Sequence, residues 1–312
     1  MSPAIRAQIT AELGVEPVLI NSALVSAQNR QRLYWAGRRN PDGTYSQVAV
    51  EQPVDRGILL RDILESGVAW REKSYTLDAH YGKTAGLYNP KKQHSYSRHM
   101  AAEPVRIGTI ENDAKNQSFD SQQYRVYSPD GKAVTLCGNG GGLGAKTGLY
   151  AVPVRAGNMP NKAIPVYEVR GGQITIKGKA YPIKLADGFY IIRKLTVTEC
   201  KRLQTVPDTY AFPVSDTQAY KMLGNGWTVD VIAHIMSHFT GLKEEPVEVL
   251  SMYDGMSCGH IALDKLGAAV SGYYATEIDK YAIQTTQHNY PETIQLGDAF
   301  QVREEGWTPY GR

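Results

Sequence analysis

The sequence predicts an α/β protein: a mostly parallel, Rossmann-like sheet, incomplete within this chain, joined to a small, mainly-β domain. Three observations predict it. From Val247 onward, strand-like and helix-like stretches alternate, an order that builds parallel sheets because each crossover returns through a helix. Residues 36–190 are rich in Tyr, Gly, Ser, Asn and Lys, with short alternating stretches between turn signals, which suits a small twisted β unit. Helical patterning lies between these two parts, so residues 1–35 and 191–312 are assigned to the larger domain and 36–190 to the smaller.

The elements follow in order. A short helical start precedes "VEPVLINSALV", an apolar strand candidate that leads into "SAQNRQRLYW". In the middle, "YRVYS" and "KAVTL" alternate like strands and flank the turn Pro129-Asp130-Gly131. "TVTECKRLQ" reads as a helix capped by Thr196 or Thr198, with Glu199 near its positive end. "SDTQAYKML" and "VDVIAHIMSHF" read as amphipathic helices broken at Gly224-Asn225-Gly226. The polar linker "TGLKEEP", residues 240–246, then gives way to strand, glycine turn, helix, strand ("SGYYATEID"), helix ("YAIQTTQHN") and strand ("TIQLGD").

Totals exclude several classes. A chain of 312 residues can bury a good core in two domains. Its 34 Lys+Arg against 31 Asp+Glu leave a net charge of +3, too slight to diagnose a nucleic-acid partner but compatible with a local basic face. Cys137, Cys200 and Cys258 lie far apart with no CxxC or Cys/His pairing, so no metal site or disulfide framework is expected. That usage, with no signal-like start and no apolar run long enough for a membrane, predicts a soluble, cytoplasmic protein.

The parallel unit predicts a cofactor site, because such sheets present ligands at the carboxyl ends of their strands. Tyr253-Asp254-Gly255-Met256-Ser257-Cys258-Gly259 lies at the first such end, where Gly255 and Gly259 let backbone N–H groups approach a ligand beneath a helix N-terminus. Glu277 follows the second strand, placed to accept from ribose hydroxyls, and Asp298 ends the third, placed to accept from an exocyclic amine. Ile278 offers an aliphatic surface to an adenine face. A single glycine turn is usually just a turn; three signals in register carry more weight. The spacing departs from GxGxxG, which ranks NAD below S-adenosylmethionine.

Five stretches extend this reading. "INSALVSAQNRQRLYW", "RVYSPDGKAVTLCGNGGGLGAKTGLY", "RKLTVTECKRLQTVPDTY", "SDTQAYKMLGNGWTVDVIAHI" and "VLSMYDGMSCG" resemble blocks of the DNA (cytosine-5)-methyltransferases. The resemblance implies an S-adenosylmethionine-binding domain, a target-recognition domain and a double-stranded DNA cleft between them. It implies cofactor contacts at Tyr253 to Gly259, Glu277, Ile278 and Asp298, with Asn225 and Trp227 of "GNGWTV" closing over the cofactor. The order of blocks along the chain is rotated relative to the family, with 240–246 as the join between old end and old start, a change that is cheap when termini lie close in space.

On the DNA side, the resemblance places Gln28, Arg30 and Arg32 beside the target cytosine or a phosphate, where an arginine fork holds oxygen atoms in pairs. Arg125 is expected to read guanine, Thr135 to touch a phosphate, and Asn139 with Gly140, Gly141 and Gly142 to bring loop backbone to base edges. Gln122 is a candidate to fill the space left by the flipped base. "GNGGGLG" lacks the Lys-Ser/Thr pair of a P-loop, so nucleoside triphosphate binding is rejected.

The family's chemistry needs a cysteine thiolate that adds to C6 of cytosine and a glutamate at N3, carried by Pro-Cys and Glu-Asn-Val blocks. Residues 1–312 contain neither block. By comparison with the family, one contiguous piece of on the order of fifty to eighty residues is expected elsewhere, judging by usual element lengths. Two readings follow: a split enzyme completed by a second polypeptide, serving DNA methylation as in restriction-modification within a bacterial or phage-infected cell, or a DNA-binding chain without turnover.

Overall fold

The computed structural model describes residues 2–65, 106–109, 125–127, 149–153, 166–176, 178–182, 185–193 and 195–304. Ser2 caps α1 (Pro3–Leu13), proline occupies the first helical position, and left-handed Gly14 ends the helix. The strand expected next is β1 (Pro17–Asn21), which pairs antiparallel with β2 (Gln31–Trp35). A second antiparallel pair joins β3 (Gly37–Arg39) to β4 (Tyr45–Gln47).

The middle of the chain forms a seven-stranded sheet from β5 (Arg106–Thr109), β6 (Arg125–Tyr127), β7 (Leu149–Pro153), β8 (Val166–Arg170), β9 (Gln173–Ile176), β10 (Lys179–Pro182) and β11 (Gly188–Arg193). Its order is β10-β9-β8-β11-β7-β6-β5, antiparallel except between β6 and β7. Gly171 and Gly172, both at positive φ, make the tight turn between β8 and β9, the conformation that keeps two right-twisted strands in register. "KAVTL" lies outside the described residues.

Residues 36–63, assigned by composition to the smaller domain, pack against the larger one. Ala36, Val48 and Val50 join Ile20, Val231 and Ile235, while Leu60 and Ile63 join a core containing Leu203, Leu223 and Ile261. That core is built mainly by α2 (Val197–Leu203), α3 (Asp216–Asn225), α4 (Val229–Met236) and α5 (Cys258–Leu266). Thr196, rather than Thr198, caps α2. The break expected at Gly224-Asn225-Gly226 forms at its last residue: Gly226 N–H bonds to Met222 O at 2.7 Å, so α3 runs through Asn225 before the chain turns.

The alternating end folds as expected into β12 (Val247–Met252), α5, β13 (Val270–Thr276), α6 (Lys280–Asn289) and β14 (Ile294–Gly297), followed by α7 (Ala299–Glu304). The three strands form a parallel sheet in the order β12-β13-β14. Crossovers of one hand that advance in one direction lay their helices on one face of a sheet. Burial agrees: Tyr273 and Ala275 turn inward with Leu263, while Leu250, Met252 and Ile294 on the opposite face stand exposed. A parallel sheet is ordinarily covered on both faces, and here, among the described residues, one apolar face is bare.

Candidate cofactor and DNA site

At the carboxyl end of β12 the chain reverses through three left-handed residues, Tyr253 (φ 56°), Gly255 (φ 61°) and Ser257 (φ 56°), so that α5 can begin at Cys258. Left-handed backbone disfavours residues with a Cβ, so something must hold Tyr253 and Ser257 there. Asp254 does much of it. Its Oδ1 accepts from Ser251 Oγ at 2.6 Å and from the Tyr273 hydroxyl at 2.8 Å, and its other oxygen accepts from Ser257 Oγ. Tyr253 N–H donates to Thr276 Oγ1 at 3.1 Å, tying the turn to the end of β13.

Glu277, just past β13, accepts at Oε2 from Gly255 N–H at 2.8 Å and at Oε1 from Ile278 and Asp279 N–H at 2.7 and 2.9 Å. A carboxylate offers roughly four acceptor positions, so room is left for a ligand hydroxyl. Asp298, after β14, accepts at Oδ1 from Phe300 N–H at 2.9 Å and starts α7. Tyr253 and Ile278 stand 65% and 76% exposed around this turn.

The opposite wall is the turn after α3. A Cβ added to Gly226 would lie 3.1 Å from Cys258 Sγ, and one added to Gly259 would lie 3.9 Å from the Trp227 ring. The two glycines let the segments touch. The Trp227 backbone N–H also points at the Cys258 sulfur, while burial pushes that thiol up to about 12. Asn225 and Trp227 face outward beside the same turn, Trp227 being 47% exposed.

Met256 and Ser257, expected to contact a cofactor, are buried: their side chains belong to the support, and the Met256 carbonyl accepts from the Tyr210 hydroxyl at 2.7 Å. Asp254, with its oxygens engaged inward, is a brace of the turn. Beneath it lies a stack that the sequence did not announce. The His260 ring lies between Tyr273 and Tyr290, with centroids 4.2 and 3.8 Å away and planes within 10° and 13°.

The residues expected on the DNA side separate. Gln28 is fully buried and donates through Nε2 to Leu203 O at 3.2 Å and Gln204 Oε1 at 3.1 Å, which corrects its assignment as a DNA contact. Arg30 is buried too: its guanidinium donates to Gly224 O at 3.2 Å and Gly226 O at 3.0 Å, holding the turn beside the cofactor site instead of facing a nucleotide. Only Arg32 of the three is exposed. The backbone of Arg125 lies in β6, and Gln122, Thr135, Asn139 and Gly140 to Gly142 lie outside the described residues. Sequence reading missed Gln204, which is fully buried and touches both Gln28 and the turn after α3. Nothing in its local spacing singles it out.

With this geometry established, comparison with known proteins decides the family. The model of the C-5 cytosine-specific DNA methylases matches residues 11–240. The chain belongs to this family. The type II methyltransferase M.HpaII of Haemophilus parainfluenzae is 27% identical over 218 residues, covering 70% of this chain and 48% of that protein. M.HhaI of Haemophilus parahaemolyticus is 30% identical over 131 residues, covering 42% of this chain and 27% of that protein. The orphan methyltransferase M.SPBetaI of Bacillus phage SPbeta is 30% identical over 192 residues, covering 56% and 41%. The chain thus spans half or less of the length of these relatives. Methylases of this family take their methyl group from S-adenosylmethionine.

The described cysteines of the chain, Cys200 and Cys258, are both buried. Among the described residues, no group of His, Cys, Asp and Glu could hold a metal, and no helix is long and apolar enough to cross a membrane.

Proposed function

We propose that this chain is the cofactor-binding and DNA-reading part of a DNA (cytosine-5)-methyltransferase, with its elements in rotated order and its cysteine nucleophile and glutamate supplied by a partner polypeptide. The observation that carries the reading is the seating of Asn225-Gly226-Trp227 against Tyr253–Gly259 at the carboxyl end of a parallel sheet. The residues suit S-adenosylmethionine. Glu277 has acceptor capacity for ribose hydroxyls, Tyr253, Ile278 and Trp227 offer exposed apolar surface to an adenine and a thioether, and Asn225 and Asp298 add polar groups at the rim. When bound there, S-adenosylmethionine supplies the methyl group.

Three features favour rotation and completion from outside. The family match ends at residue 240, and the cofactor strand begins at Val247, so the linker between them falls where old end and old start would meet. Cys258 cannot serve as nucleophile, because its buried thiol is held protonated at neutral pH. Among the described residues β12 has a free edge, which offers a place for further strands. The complementing chain would bring the thiolate to C6 of a flipped cytosine, making C5 able to take the methyl group. Arg32, Arg125, Thr135, Asn139 and Gly140 to Gly142 would bind the duplex, with Gln122 filling the space left by the flipped base.

Calorimetric titration tests the cofactor site: the chain should bind S-adenosylmethionine, and Glu277→Ala should weaken it at least about tenfold by removing a charge-assisted acceptor. Co-expression with a polypeptide carrying Pro-Cys and Glu-Asn-Val blocks should give DNA methylation that neither gives alone. Methylation by residues 1–312 alone would refute the split arrangement.

A further inference from the structure

A buried polar web joins three segments far apart in sequence. Gln204, at the end of α2, is its centre. Its Nε2 donates to Leu223 O at 2.5 Å and to Gly226 O at 3.3 Å, and its Oε1 accepts from Gln28 Nε2 at 3.1 Å and Thr228 Oγ1 at 2.9 Å. A primary amide has two N–H donors and two lone pairs on oxygen, so all four positions are used. Thr228 is held in turn by Ser22 Oγ at 2.8 Å, and Gly226 O also accepts from Arg30 at 3.0 Å. Ser22, Gln28, Gln204 and Thr228 are all buried.

The carbonyls held by this web belong to the segment that carries Asn225 and Trp227. Leu223 and Gly224 lie in the last turn of α3 and Gly226 just past it, so without Gln204 and Arg30 these carbonyls would be buried and poorly bonded, which is costly enough to move the backbone. We infer that Gln204 is a positioning residue of the methyltransferase: its amide clamps Leu223 to Thr228 so that Asn225 and Trp227 stay against the turn Tyr253–Gly259. It touches no ligand itself. The inference rests on the cofactor reading above, but its structural half can be read without a cofactor.

The experiment compares the chain with Gln204→Met, which keeps length and removes every side-chain hydrogen bond while leaving the backbone bond from Val229 N–H, and Thr228→Val, which keeps Gln204 and removes one of its supports. Leu60→Ala, a cavity elsewhere in the same core, controls for loss of stability. Amide hydrogen exchange by mass spectrometry reads the clamp directly. Exchange over residues 223–228 should rise about tenfold or more in Gln204→Met and less in Thr228→Val, as expected when buried hydrogen bonds are lost, with α6 unchanged. S-adenosylmethionine affinity, by calorimetry, should fall about tenfold in Gln204→Met and stay within about twofold in Leu60→Ala. Unchanged exchange over 223–228 in both web variants overturns the inference. So does equal weakening of affinity in Leu60→Ala and Gln204→Met. Absence of binding by the unaltered chain, with the exchange pattern as expected, instead refutes the cofactor reading and leaves the clamp standing.

Discussion

His260 is a titratable ring in a place that disfavours its charge. It lies flat between Tyr273 and Tyr290, its Nδ1 has no hydrogen-bond partner among the described residues, and Glu292 is 3.9 Å from Nε2. Burial lowers its pKa below 6.5, and Asp264, Glu292 and Asp254 offset this only in part. The unfolded chain therefore takes up the proton first, and stability falls as pH drops from 6.5 toward the folded value. Melting temperature measured between about pH 5 and 8 should rise with pH through that window, and the slope should flatten in His260→Gln. At this scale the sequence was partly legible. The places of Tyr253, Glu277 and Ile278 just past parallel strands were visible because alternation of strand and helix marks where each strand stops. Gln28, Arg30 and Gln204 were not, because spacing tells which residues are polar and leaves open which polar groups the fold turns inward.

Elements were easier to read than residues, because their signals are local. The spacing of Thr196 and Glu199 marks a capping box, and both halves form: Glu199 N–H donates to Thr196 Oγ1 at 3.1 Å, and Thr196 N–H to Glu199 Oε2 at 2.8 Å. Thr196→Ala should lower the free energy of unfolding in urea by about 1 kcal/mol, the usual cost of an N-cap. The turn at Tyr253–Ser257 makes a second case. A Cβ at Gly255 would meet no atom within 4 Å, but its φ of +61° disfavours one, so Gly255→Ala should cost about 1 kcal/mol in melting experiments through backbone strain alone. The end of α3 falls within the expected Gly224-Asn225-Gly226 break, at its last residue, because glycine weakens a helix without necessarily stopping it. Here the last bond, from Gly226 to Met222, is still made.

For the molecule as a whole, alternation after Val247 revealed the parallel sheet, while composition gave no sign that apolar side chains of residues 36–63 pack among those of α2 to α5. The bare face carrying Leu250, Met252 and Ile294 has a physical consequence, since exposed contiguous apolar surface promotes association. Leu250→Gln combined with Ile294→Thr should reduce self-association in sedimentation velocity while changing the melting temperature little. Loss of folding in that variant would mean that the face is already covered. The stretch from Ser237 to Pro246 carries a different lesson. What keeps α4 beside the parallel sheet is Met236 lodged among Leu263, Tyr273 and Ala275, and the hydrogen bond from Ala269 N–H to Leu242 O. Neighbourhood in space adds to the peptide thread in holding this junction, so two polypeptides divided between Gly241 and Glu245 should still recognise each other, which co-purification would check.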